Sequence, residues 1–154
     1  MRAHACAAGA RGSAAEDEVL GRSRGGFMTK IHALTDALGH PLKFILTGGQ
    51  ASDIGQADHL LEGIDADAVL GDKGYDADRF VQTLAARGVI AVTPPRAHRN
   101  DPHPCDWHIY KETHLIECFF GKIKHYRRVF SRFEKTACHF MGFLHHVATL
   151  VWTQ

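Results

Sequence analysis

Two carboxylates in this chain stand where they could do chemistry on a phosphate. Asp72 lies in Ala-Val-Leu-Gly-Asp-Lys-Gly-Tyr-Asp, residues 68–76, at the end of a short apolar run. Gly71 and Gly74 let the backbone bend tightly around it. Glu117 lies in a stretch of helical periodicity that becomes strongly basic. Carboxylate oxygens suit Mg²⁺, and a divalent ion beside a basic helix is equipped to act on a nucleic-acid backbone. The plain alternative is that Asp72 and Asp76 only form a turn and cap a helix, and spacing alone favours it.

Glu117 is tested by counting its helical neighbours. Residues 117, 121, 124 and 128 share one face, which lines up Glu117, Gly121, Lys124 and Arg128. Ile116, Phe119, Phe120, Ile123 and Phe130 fall on an adjacent face suited to packing on a sheet. A solvated charged face beside a core face is the ordinary explanation of such a helix. What tilts the reading toward nucleic acid is Lys122, Lys124, His125, Arg127, Arg128, Arg132 and Lys135 interleaved with Tyr126, Phe130 and Phe133. Charge is asymmetric in the same sense: residues 1–108 carry a balance of −3, and residues 109–154 a balance of +4.

The elements that must position these groups are legible in outline. Residues 1–26, rich in Ala, Gly, Ser and Arg, read as a flexible arm or loop. Thr29 to Thr35 and Pro41 to Thr47 read as two strands joined by the turn Asp36-Ala-Leu-Gly39, a hairpin. Asp53 to Ile64 has helical spacing. Asp67 to Gly71 reads as a buried strand, Asp76 as the cap of a helix to about Arg87, and Val89 to Thr93 as a strand stopped by Pro94 and Pro95. Strand, helix and strand in that order predict a right-handed parallel crossover. Ile109 to about Phe130 then reads as one long helix and Thr136 to Trp152 as another. The whole is one α/β domain with a mixed sheet.

Composition excludes other classes. The chain is 45% hydrophobic and 23% charged, as a soluble globular domain is, and no apolar run is long enough to span a bilayer. The N-terminus lacks the apolar core of a signal peptide, which predicts a cytoplasmic protein. Cys6, Cys105, Cys118 and Cys138 are scattered, so no disulfide framework is expected. His98, His103, Cys105 and His108 cluster, but their spacing fits no zinc signature, and Pro94, Pro95, Pro102 and Pro104 argue for an extended loop.

Three segments in order resemble the DDE transposases of bacterial insertion sequences: Thr-Lys-Ile-His-Ala-Leu-Thr-Asp-Ala-Leu-Gly-His-Pro-Leu, Gly-Asp-Lys-Gly-Tyr-Asp, and Tyr110 to Lys124. The resemblance implies a ribonuclease H-like mixed sheet flanked by helices over residues 27–154, and DNA transposition by metal-dependent strand cleavage and joining. It implies two Mg²⁺ ions held by Asp, Asp and Glu, of which Asp72 is the second Asp and Glu117 the Glu. The branch signature Tyr, Arg, Glu, Lys falls on Tyr110, Thr113, Glu117 and Lys124, with Thr113 in place of a guanidinium able to grip a phosphate. Tyr110, Lys122, Lys124, Arg127 and Arg128 become the candidate DNA contacts. The implied partners are insertion-sequence ends and target DNA, a second copy of the chain, or an intact transposase in a mixed oligomer.

In the family the first Asp lies in an Asp-Ser-Thr segment that runs into Val-Arg-Ala-His, whereas this sequence opens Met1-Arg-Ala-His. The expectation is an N-terminally truncated domain, with the first strand largely missing and its Asp just upstream. Glu16, Asp17 and Glu18 lie in a glycine-bounded loop and are no substitute. Two-ion phosphoryl transfer needs a carboxylate bridging both ions, so this polypeptide alone is expected neither to nick nor to join DNA. The alternative function is a non-catalytic DNA-binding remnant that interferes with an intact transposase.

Overall fold

A β-hairpin organises the first half of the chain. The computed structural model describes residues 1–7, 18–23 and 26–153. In order they form β1 (Arg2–Ala3), β2 (Gly21–Ser23), β3 (Gly26–Thr35), β4 (Pro41–Gly48), α1 (Ile54–Leu60), β5 (Ala68–Leu70), α2 (Asp78–Ala86), β6 (Ile90–Val92), α3 (Trp107–Tyr110), α4 (His114–Lys124), α5 (Arg127–Phe130), β7 (Ser131–Arg132) and α6 (Ala137–Trp152). They fall into two compact units, Met1–Ala51 with Ile116–Gln154, and Ser52–Leu115. No helix among the described residues is long and apolar enough to cross a membrane.

In the first unit, β3 and β4 pair antiparallel from Thr29 opposite Gly48 to Leu34 opposite Lys43, as the alternating pattern predicts. Their turn is set by Asp36, whose Oδ1 accepts from the amides of Leu38 and His40 at 2.9 Å, and by Gly39 at φ 83°, a conformation that suits glycine. β3 outruns its hairpin partner, and its extra residues pair elsewhere. Met28 lies opposite Gly21 of β2 and opposite Arg2 of β1, both antiparallel. β1 in turn runs parallel to β7, with Arg2 opposite Ser131 and Ala3 opposite Arg132.

That pairing corrects the flexible-arm reading for the part of residues 1–26 that the structure describes. Arg2–Ala3 and Gly21–Ser23 are strand despite their small-residue composition, because the exposed backbone of β3 offers hydrogen bonds that any residue type can accept. Residues 8–17 and 24–25, including Glu16 and Asp17, lie outside the described residues.

The core of this unit sits between the hairpin and the C-terminal helices. Phe44, Phe119, Ile123, Val129, Leu144, Val147, Ala148 and Val151 are buried together, and the Phe44 and Phe119 rings lie 5.8 Å apart. Each large side chain of this kind contributes on the order of 1.5–3 kcal/mol by leaving water. Thr136 caps α6, its Oγ1 accepting from the His139 amide at 3.4 Å.

The single helix expected over 109–130 is broken in two places. Residues 111–113 form a 3₁₀ turn between α3 and α4, where the hydroxyl of Thr113 donates to the Tyr110 carbonyl at 2.7 Å and competes with helical bonding. α4 then ends at Lys124, with Lys122 and Lys124 in its last turn, where cations suit the negative end of the helix. Tyr126 is extended at ψ 109° before α5 begins. Arg128 therefore does not continue the face of Glu117, and Phe130 is 58% exposed rather than packed on the sheet.

In the second unit β5 and β6 are parallel, Ala68 opposite Ile90 through Leu70 opposite Val92, with α2 between them. The parallel pairing of the predicted strand, helix and strand is found. Gly88, at φ 73°, ends α2, and the Val89 amide returns to the Leu84 carbonyl at 2.9 Å. The mixed sheet of β1–β4 and β7 and this parallel pair are separate sheets, where the sequence predicts one. β5 and β6 have three residues each, too little edge to specify a wider sheet from pattern alone.

Candidate catalytic and nucleic-acid-binding residues

Asp72 lies just past β5, after Gly71, and is exposed, at the carboxyl end of a parallel strand where α/β folds commonly place reactive groups. Its Oδ1 accepts from the Gly74 amide at 2.7 Å and opens a 3₁₀ turn over Lys73–Tyr75. A Cβ at Gly74 would meet that oxygen at 2.8 Å, so a larger residue there would push the Asp72 carboxylate aside. The turn role foreseen for Asp72 is thus real, and it leaves the residue at the surface.

Tyr75 folds back beneath the same turn, its ring about 3.0 Å from where a Gly71 Cβ would be. Burial, and then the charges of Asp53 and Asp72, push its hydroxyl up to about 12.

Asp76 does not cap α2. The N-cap position is Ala77, without a side-chain bond, and Asp76 is buried. Its Oδ2 accepts from the Arg96 amide at 2.6 Å, and its Oδ1 accepts from Arg99 Nη1 and, at 3.1 Å, from His103 Nε2. Burial alone would raise the pKa of this carboxyl, but these donors and the Arg99 charge hold it below the ordinary value. His103 is spent on this contact, and among the described residues no group of three or more His, Cys, Asp or Glu could hold a metal.

Arg96 and Arg99 are the residues that sequence reasoning missed. Arg96 donates through Nε to the Lys73 carbonyl at 3.1 Å and through Nη2 to the Gly74 carbonyl at 3.0 Å, while Arg99 bridges Asp76 and Asp78. The signal available was charge: two arginines follow Pro95, and three aspartates lie at 72, 76 and 78. In the same unit Tyr110 is half-buried, its ring in an edge contact with Trp107 at 5.7 Å.

In the first unit Glu117 is exposed on the first turn of α4, and Gly121 and Lys124 are exposed along the same face. Phe119 and Ile123 on the opposite side are buried, so the amphipathic division foreseen for this helix is found up to Lys124. Lys122, Arg127 and Arg128 are also exposed. Arg127 lies over the Phe133 ring at 5.7 Å, and Arg128 over Phe143 at 5.6 Å with its Nε 3.7 Å from Glu134. Lys124 and Lys30 bring positive charge to the start of β1. The Met1 amino group there donates to the Thr29 carbonyl at 2.7 Å, and burial followed by those two lysines lowers its pKa. Arg132 is fully buried and is removed from the candidate surface.

A carboxylate at a strand end and another on an exposed helix face carrying lysines are the features the sequence attributed to a transposase, and residues 15–145 match the family model for the transposase DDE domain. The chain belongs to that family. A protein of Brucella ovis described as a transposase for insertion sequence element IS6501 is 43% identical over 129 residues, covering 80% of this chain and 97% of the relative. One of Burkholderia cepacia, described as a transposase for IS402, is 32% identical over 121 residues, covering 71% of this chain and 55% of the relative. No solved structure matches the chain.

Of the residues that the resemblance singles out, Tyr110 and Thr113 lie in the second unit and Glu117 and Lys124 in the first. Asp72 in the second unit and Glu117 in the first each present carboxylate oxygens, the donor type that Mg²⁺ takes.

Proposed function

We propose that this chain works in DNA transposition on a ribonuclease H-like plan, with Asp72 and Glu117 supplying carboxylates of a metal-dependent strand-cleavage and joining site. The observation that carries the reading is the exposed face of α4, where Glu117 precedes Gly121 and Lys124 while Phe119 and Ile123 anchor the other side in the core. An acid followed by an unobstructed glycine and a cation on one helix face suits a phosphodiester, since nothing beyond the helix's own adjoining backbone lies within 4 Å of a Cβ built at Gly121. Lys122, Lys124, Arg127 and Arg128 hold the DNA backbone, and Tyr110 contributes an aromatic face beside it. Mg²⁺, when bound by Asp72 and Glu117, supplies Lewis-acid stabilisation of the phosphate. With two assigned carboxylates the isolated chain binds one ion weakly and turns over no DNA.

The test combines insertion-sequence end DNA with the purified chain in Mg²⁺ or Mn²⁺. Expected are salt-sensitive binding without strand scission, and Mn²⁺ binding that Asp72→Asn and Glu117→Gln each weaken. Mn²⁺ binding untouched by both substitutions would remove these residues from the site, and robust scission would overturn the inactivity of the isolated chain. Absence of DNA binding would overturn the assignment of the basic residues.

A further inference from the structure

We propose that Asp76 is a positioning residue for Asp72, clamping the proline-rich loop onto the turn that carries that carboxylate. Its side chain is wholly buried, and a buried carboxylate is tolerated only when its oxygens are paired. Every partner described for it comes from one loop: the Arg96 amide, the Arg99 guanidinium and the His103 imidazole. A helix cap would need none of these. Arg99 reaches on to Asp78 at the start of α2 and binds the Asp101 carbonyl at 2.7 Å, so the loop is held at both sides.

The contact then passes to Asp72 through Arg96. Asp76 fixes the backbone of Arg96, and the Arg96 guanidinium takes the carbonyls of Lys73 and Gly74. These two residues lie in the turn that Asp72 opens, and the Gly74 amide is the one that Asp72 Oδ1 accepts. The chain of bonds runs from a buried carboxylate to an exposed one entirely within the second unit. Arg96 and Arg99, which would otherwise be natural phosphate contacts, are committed to this clamp.

The inference rests on reading Asp72 as a metal ligand, and the experiment separates the two. In the full chain, NMR measures solvent exchange of the Gly74 amide and the Mn²⁺ concentration that half-broadens the Asp72 and Lys73 amides. Arg96 is exposed, so Arg96→Ala removes the guanidinium with its aliphatic stem and leaves the fold; Asp76→Asn is the stronger variant, and Arg96→Ala decides alone if Asp76→Asn unfolds. Removing two hydrogen bonds is expected to speed Gly74 exchange roughly tenfold, with the buried Val92 amide unchanged. The Mn²⁺ requirement is expected to rise several-fold, which a purely structural loop contact would not produce, and Arg96→Lys is expected to restore part of both. Unchanged Gly74 exchange in Arg96→Ala would overturn the clamp, and an unchanged Mn²⁺ requirement would overturn the positioning role. If Mn²⁺ broadens neither amide in the unmodified chain, the metal reading of Asp72 fails and the positioning role with it, while Gly74 exchange still decides the clamp.

Discussion

Arg132 and Thr29 lie 103 residues apart in sequence, yet Arg132 Nη1 donates to Thr29 Oγ1 at 2.5 Å with both residues fully buried. The same guanidinium donates through Nε to the Glu134 carbonyl at 2.8 Å and through Nη2 to the Lys135 carbonyl at 2.9 Å, and it lies over the Phe140 ring at 5.3 Å. Thr29 in turn donates to the Val19 carbonyl at 3.0 Å. One side chain thus ties β7 to β3 and shapes the turn into α6.

Replacing Arg132 therefore tests stability and not DNA contact. Arg132→Met keeps most of the apolar stem but leaves two carbonyls and a hydroxyl without their donor, each loss costing about 1–3 kcal/mol where water cannot enter. The expected outcome is destabilisation of roughly 3 kcal/mol in urea unfolding, against about 0.5 kcal/mol or less for Lys122→Ala on the surface. Equal midpoints for the two variants would contradict the anchoring role.

Acid stability of the second unit is expected to depend on Asp76. Its folded pKa lies below the unfolded value, so it contributes stability that is fully present above the unfolded pKa of about 4 and is lost as pH falls through the folded pKa. Unfolding followed by amide signals of Val92 and Leu84 should become progressively easier below about pH 4. Asp76→Asn should flatten that part of the profile while lowering stability at neutral pH, because the buried Arg99 contact loses its counter-charge.

These two residues also mark the boundary between what local sequence pattern determines and what long-range packing determines. The hairpin, the parallel pairing of residues 68–70 with 90–92 and the buried face of α4 follow from local periodicity, so they were legible. Arg132 was counted among the basic residues available to DNA, because sequence shows its charge but not that β7 pairs with β1 and carries it inside. Asp76 looked like a cap because its partners, at 96, 99 and 103, are distant in sequence. The break after Lys124 was hidden for a related reason, since helical spacing of apolar residues continues past a point where Tyr126 turns extended. Asp72 and Glu117 stood out through the resemblance rather than through spacing, which favours a turn for the first and a solvated face for the second.

DNA affinity should respond differently to buried and exposed cations. Each exposed residue that neutralises one phosphate contributes about 0.9 to the slope of log affinity against log salt. Lys122→Ala and Lys124→Ala are each expected to reduce the slope by about that amount, equally on all sequences, since backbone contacts carry no base information. Arg127→Ala should do the same and also lose its contact over Phe133. A slope that stays constant across all three variants would place the DNA elsewhere.

Tyr75 offers a spectroscopic view of Asp72. Its hydroxyl is raised to about 12 by burial first, with the charges of Asp53 and Asp72 adding to the same direction. Asp72→Asn removes one of those charges and should move the Tyr75 titration downward, in ultraviolet difference spectra assigned by Tyr75→Phe. The burial contribution must survive that substitution, so the value should stay above the ordinary tyrosine range near 10. Because the unfolded chain ionises its tyrosine first, the unit should also lose stability between about pH 10 and 12, and Tyr75→Phe should remove that loss. A Tyr75 titration indifferent to Asp72→Asn would mean that the carboxylate and the ring do not share the turn that holds the two together here.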